Sequence, residues 1–131
     1  MTTPPATSSG QEGPPAPLLA CLSEYRAAAD HLRQCLEARA RARAELDRAQ
    51  DALQDARARA EVQHAEQPRE RRALLVAAEV YPAELVARAA RDQYRAAEDE
   101  TERAKVTERA AREELSVWRV LAPLAVEGAT L

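Results

Sequence analysis

From Leu18 to Glu66 apolar side chains return every three or four residues, and neither Gly nor Pro interrupts them. Leu18, Leu22, Tyr25, Ala29, Leu32 and Leu36 step by 4 and 3, which places them on one stripe of an α-helix. The stripe resumes at Leu46 and Leu53. Between them, Arg39 and Arg43 occupy seam positions where a strict coiled coil carries apolar groups. Ala38, Ala42, Ala49, Ala56 and Ala60 form a second, thinner stripe, so the apolar face is expected to drift around the helix. At 1.5 Å per residue such a helix spans about 70 Å. It cannot curl into a globule, and its stripe needs another long helix.

Gln67-Pro68 breaks the pattern, because Pro disfavours α geometry at the residue before it. Pro68 can then open the next helix. The densest apolar run follows, with Leu74, Leu75, Val76, Val80 and Tyr81. An exposed run of that kind would be a sticky patch, so Leu74, Leu75 and Val76 are expected to be buried at the hairpin end. Pro82 is expected to stop or kink this short helix. Beyond it, Tyr94, Ala97, Thr101, Ala104, Glu108, Ala111, Leu115, Trp118 and Ala122 keep the 3-and-4 spacing up to Pro123, which should end the helix. The expected fold is all-α, a long antiparallel helical hairpin or coiled coil over 18–123. Its helices should lie at about 18–66, 69–81 and 82–121. Residues 1–17 are rich in Pro, Gly, Ser and Thr and read as a disordered tail. Residues 124–131 read as a short C-terminal tail.

Composition narrows the function classes. A chain of 131 residues holds one domain at most. Aromatic residues make up 3%, Phe is absent, and much of the apolar content is Ala, so no large compact core is expected. Net charge is −3, which recruits neither nucleic acid nor an anionic membrane over long range. The first helix is Arg-dense, but its acidic residues outnumber its Arg, so nucleic acid is not expected as a partner. No secretory signal is expected, and no apolar run is long enough to cross a bilayer. Cys21 and Cys35 would lie about 21 Å apart on one helix, too far for a disulfide. Two such cysteines fit a reducing cytosol, and cytoplasmic localisation is expected.

Candidate chemistry adds little. His31 and Cys35 are four apart and could face one ion, but zinc needs three or four ligands and no known spacing is completed. They are read as a surface His and a seam Cys, with no metal and no cofactor. His64 is expected to be solvated. Glu98, Asp99, Glu100 and Glu102 are carboxylates on a long helix without a cleft, hence a solvated face rather than acid/base machinery. No nucleophile triad, phosphate loop or Cys-x-x-Cys is present. The chain is therefore expected to be no enzyme and to take no small-molecule substrate.

The first helix carries an early Glu24-Tyr25 and a later Glu45-Leu46 with Ala49 behind it, and the second finishes with Glu113-Glu114-Leu115 followed by Trp118. In this the chain resembles the BAR region of the sorting nexins, over about residues 18–121. The resemblance implies a dimerising helical module at cytosolic, endosomal membranes in vesicle trafficking. The phosphoinositide-reading domain and the third helix of that family have no counterpart in this sequence, so the resemblance implies a shortened or divergent member.

One hairpin cannot cover every apolar stripe, so the chain is expected to self-associate or to pair with a helical partner, as a homodimer or heteromer. The expected interface is Leu22, Tyr25, Leu32, Leu36, Leu46, Leu53, Tyr94, Leu115 and Trp118. Leu85 and Val86 lie on a neighbouring face. The alternative is a coiled-coil adaptor or structural subunit with no membrane role.

Overall fold

A computed structural model of the chain describes the backbone of residues 16–130 and the side chains of residues 16–123. The expected 1–17 tail falls outside the described residues, except that Ala16 and Pro17 form the start of the first helix. The side chains of the 124–131 tail also lie outside them.

The described residues form two helices: α1, Ala16–Gln63, of 48 residues, and α2, Arg69–Thr130, of 62 residues. They form the expected all-α antiparallel hairpin. Ala, Leu, Arg and Glu favour long helices, and no Gly interrupts either until Gly128. The turn is short. His64 N–H donates to the Ala60 carbonyl and Gln67 N–H to the His64 carbonyl, at 3.0 and 3.1 Å. Arg72 N–H donates to the Pro68 carbonyl at 2.8 Å and starts the α2 ladder.

There are two helices where three were expected. Pro82 does not end a short 69–81 helix, and Pro123 does not end the longer one, because α2 runs through both. Pro82 has no N–H to offer the Ala78 carbonyl, a loss of about 3 kcal/mol in an exposed helix interior. Tertiary contact outweighs that loss. Val76 and Val80 before the proline, and Ala87 and Ala90 after it, are all buried against α1.

The chain divides into two compact units. Unit 2, Cys35–Thr101, holds the turn and the helix segments on either side of it. Its seam on α2 is Val76, Val80, Ala83, Ala87, Ala90, Tyr94, Ala97 and Thr101, all buried or half-buried. On α1 the facing residues are Cys35, Arg39, Ala42, Leu46, Ala49, Leu53, Ala56 and Ala60. Two clusters lie along it: Ala60, Val76 and Val80 near the turn, and Leu46, Ala49, Ala87 and Ala90 further on, with Leu53 packed against both. Val76 and Val80 are buried, but Leu74 is 73% exposed, contrary to expectation. Two residues advance a helix by about 200°, so burying Val76 turns Leu74 outward. Leu75 is half-buried.

Unit 1 consists of residues 1–34 and 102–131. In it Cys21, Ala28, Ala104 and Leu115 are buried. Tyr25, Leu32, Glu108, Ala111 and Trp118 are half-buried beside them. The seam spacing is the same 3 and 4.

Candidate interaction surfaces

Each expected interface residue can now be placed. Leu46 and Leu115 are buried within their own units, at 4% and 3% exposure. Leu22, Tyr25, Leu32, Leu53, Tyr94 and Trp118 are half-buried, and Leu36 is exposed. Leu46, Leu53 and Tyr94 pack together with Ala87 and Ala90 between the two helices of unit 2.

The expected seam on the C-terminal half of α2 is the one found. On α1 Tyr25, Leu32, Leu46 and Leu53 lie on the seam as expected, and one column of it in the N-terminal half is shifted by one residue. Cys21, Ala28 and Cys35 are buried where Leu22, Ala29 and Leu36 were expected to lead. The reason is size. Cys21, Ala28, Cys35, Ala42, Ala49 and Ala56 recur at intervals of seven, and all are small. On α2 the matching column is Ala83, Ala90, Ala97, Ala104 and Ala111. A small side chain on each helix lets the backbones approach, and the larger Leu side chains then flank the contact. The drifting Ala stripe and the Leu stripe are therefore one seam. The repeat of small residues at sevens was the sequence signal for it.

Specific polar contacts fix unit 2. Thr101 is fully buried; its hydroxyl lies 2.8 Å from the Ala97 carbonyl and 3.3 Å from the Cys35 carbonyl on α1. Having one proton, it can donate to only one of them at a time. The Arg43 guanidinium lies 5.5 Å from the centroid of the Tyr94 ring, a cation–π contact between the helices. Arg39 is half-buried at the seam, which a long side chain tolerates because its stem is apolar. Arg57 reaches Glu84 at 3.6 Å. His64 is not solvated as expected. Its Nε2 lies 2.7 Å from Glu79 Oε1, and only 13% of its side chain is exposed.

In unit 1 the buried Cys21 lies beside Glu114. Burial pushes the Cys21 thiol up, and the hydrogen bond to Glu114 and its negative charge push it further. Both favour the neutral thiol over the thiolate.

Apolar surface also remains outside the seams. In unit 2, Leu74, Tyr81, Leu85 and Val86 are 73%, 54%, 42% and 60% exposed. Ala49, Ala52, Val86, Ala89 and Ala90 line a shallow groove on one flank of that unit. Arg57, Glu84, Arg88 and Arg91 line the other flank. In unit 1, Val106, Val117, Val120 and Leu121 are exposed. No helix among the described residues is long and apolar enough to cross a membrane. Comparison with protein-family models, with curated proteins and with solved structures yields no match to this chain.

Proposed function

We propose that the chain is a non-enzymatic helical interaction module that works by pairing with further helices, either its own or a partner's. One observation carries this reading: the buried seam is built mainly of Ala, Cys and Thr, while large apolar side chains stand outside it. A fully buried Val, Leu or Phe contributes about 1.5–3 kcal/mol, and Ala far less, so such a seam gives the hairpin modest stability. Covering Leu74, Tyr81 and Leu85 against another helix adds what the seam lacks. Sedimentation equilibrium of the full chain over micromolar concentrations tests the reading. A concentration-dependent rise in mass agrees with it. A well-folded monomer with a sharp thermal transition, indifferent to added helical partners, overturns it.

A membrane-surface version of the module is the second reading. It draws on the sorting-nexin-like motifs and on Arg57, Arg88 and Arg91, which offer anionic headgroups a local basic cluster beside Glu84. Co-sedimentation with phosphatidylserine vesicles separates the two. Pelleting that fades with salt favours the membrane role, and absence of pelleting favours the adaptor role.

A further inference from the structure

We propose that the outer face of α2 between Leu74 and Leu85 is a self-recognition surface, which pairs antiparallel with the same face of a second copy of this chain. The inference rests on the reading of the chain as a helix-pairing module and names the surface and the occupant.

Leu74, Ala78, Tyr81 and Leu85 step by 4, 3 and 4, so they share an arc of about 60° on the helix. All four are exposed, because Val76, Val80 and Ala87 occupy the inward side of the same segment. The stripe runs about 16 Å and ends abruptly. Glu70 and Arg71 bound it toward the turn, and Arg88 and Asp92 bound it at the far end. It is thus a short apolar face with charges only at its ends.

Those charges select the occupant and its direction. In an antiparallel pair centred between Glu79 and Val80, Leu74 meets the second copy's Leu85, and the small Ala78 meets the second copy's Tyr81. Small against large fills the contact without overpacking. On the same side of the pair, Glu70 then lies beside the second copy's Arg88, and two-fold symmetry repeats this ion pair at the other end. Arg71 is level with the second copy's Arg88 but on the other side of the stripe, next to the small Ala89. A parallel, in-register pair would instead set Glu70 against Glu70 and Arg88 against Arg88. A charge pattern complementary to itself only when reversed is the mark of an isologous antiparallel contact. Pro82 adds to the match. It leaves the Ala78 carbonyl without its helical donor, and Ala78 is the residue that the second copy's Tyr81 hydroxyl approaches. Four apolar residues per copy place this contact in the small, transient class, below about 1,200 Å² of total buried area.

The test uses the full chain in sedimentation equilibrium from about 10 μM to about 500 μM, the range of a weak dimer. The wild-type chain is expected to approach twice its monomer mass. Tyr81→Glu with Leu85→Glu should stay monomeric while circular dichroism shows unchanged helicity, since both positions are exposed. Glu70→Arg alone and Arg88→Glu alone should each weaken association about tenfold, and the two together should restore it. Wild-type association by the Tyr81/Leu85 variant overturns this surface but leaves the pairing module standing. Failure of the double charge swap to restore association overturns the antiparallel register. A wild-type chain that remains a sharply melting monomer up to the highest concentration overturns both the surface and the self-pairing form of the module.

Discussion

In unit 2 the helices are held by contacts that reach from one to the other. Arg57 pairs with Glu84, Arg43 covers Tyr94 and the Thr101 hydroxyl faces the Cys35 carbonyl, while His64 in the turn binds Glu79 on α2. In unit 1 Cys21 meets Glu114 across the helices, while the ion pairs Arg33–Asp30, Lys105–Glu102 and Arg112–Glu108 run along a single helix, as Arg43–Asp47 and Arg48–Glu45 do in unit 2. The first kind of contact fixes the pairing of two helices. The second supports each helix by a few tenths of a kcal/mol and says nothing about which helix lies opposite. Unit 2 also contains the turn, so closing its seam costs little loop entropy, whereas the helix segments of unit 1 are joined only through all of unit 2. Helix pairing should therefore be firm in unit 2 and weaker in unit 1, and native-state hydrogen exchange should report it as slower amide exchange in the former.

Equal truncations break this comparison most directly. Leu46→Ala, in the core of unit 2, should cost about 2–4 kcal/mol and lower the midpoint of global denaturation. Leu115→Ala is just as buried, at 3% exposure, but lies in unit 1. Its cost should appear as faster local exchange in 102–123 with a smaller shift of the global midpoint. Equal global shifts from both variants would show the two units to be equally firm.

Pro82 sharpens the picture of unit 2 in the opposite direction. It lies in an exposed position within a continuous helix. Pro82→Ala returns an N–H donor to the Ala78 carbonyl and removes a steric clash, so it should stabilise unit 2 by about 1–3 kcal/mol in chemical denaturation. A destabilised Pro82→Ala protein would mean that the proline shapes the helix for the packing of Val76 and Val80. Thr101→Val is a smaller change. It keeps the shape of a fully buried side chain and removes one hydroxyl proton. Both carbonyls near that hydroxyl lie inside helices with backbone donors of their own, so the loss should stay within about 1 kcal/mol. A loss of several kcal/mol would assign the Thr101–Cys35 contact a decisive part in register.

These differences explain how far the sequence could be read. The antiparallel hairpin, the break at Gln67-Pro68 and the Tyr94–Ala122 seam were legible, because they depend on period and on a helix breaker alone. Period alone also places Tyr25, Leu32, Leu46 and Leu53 on the α1 seam, but in one column hydrophobicity favours Leu22 and Leu36 over the buried Cys21, Ala28 and Cys35. Close helix approach rewards the smaller side chains. Pro82 was misjudged for a related reason. Its local cost is visible in the sequence, but the burial of Val76, Val80, Ala87 and Ala90 that offsets it is visible only once α1 lies alongside. The same packing buries Val76 as expected and leaves Leu74 outside, so one residue expected in the core joins Tyr81 and Leu85 on the surface proposed for self-recognition.

The smallest expected effect tests unit 1 by pH. The Cys21 thiol is raised above its ordinary value, first by burial and then by Glu114. A raised thiol pKa means that the fold favours the protonated form, so its contribution to stability is fully present below the unfolded-state value. That contribution fades as pH rises through the folded-state value. Between neutral pH and that point Cys21 should be a poor nucleophile, because the thiolate is the reactive form. In a Cys35→Ala background, the rate of labelling by a disulfide reagent should reach its half-maximum at a higher pH in the folded protein than in denaturant. Glu114→Gln removes the secondary cause and keeps the primary one, so the half-maximum should fall part of the way and remain above the denatured value. If folded and denatured proteins label with the same pH midpoint, Cys21 is not held against α2 as described, and unit 1 is looser still than the comparison with unit 2 implies.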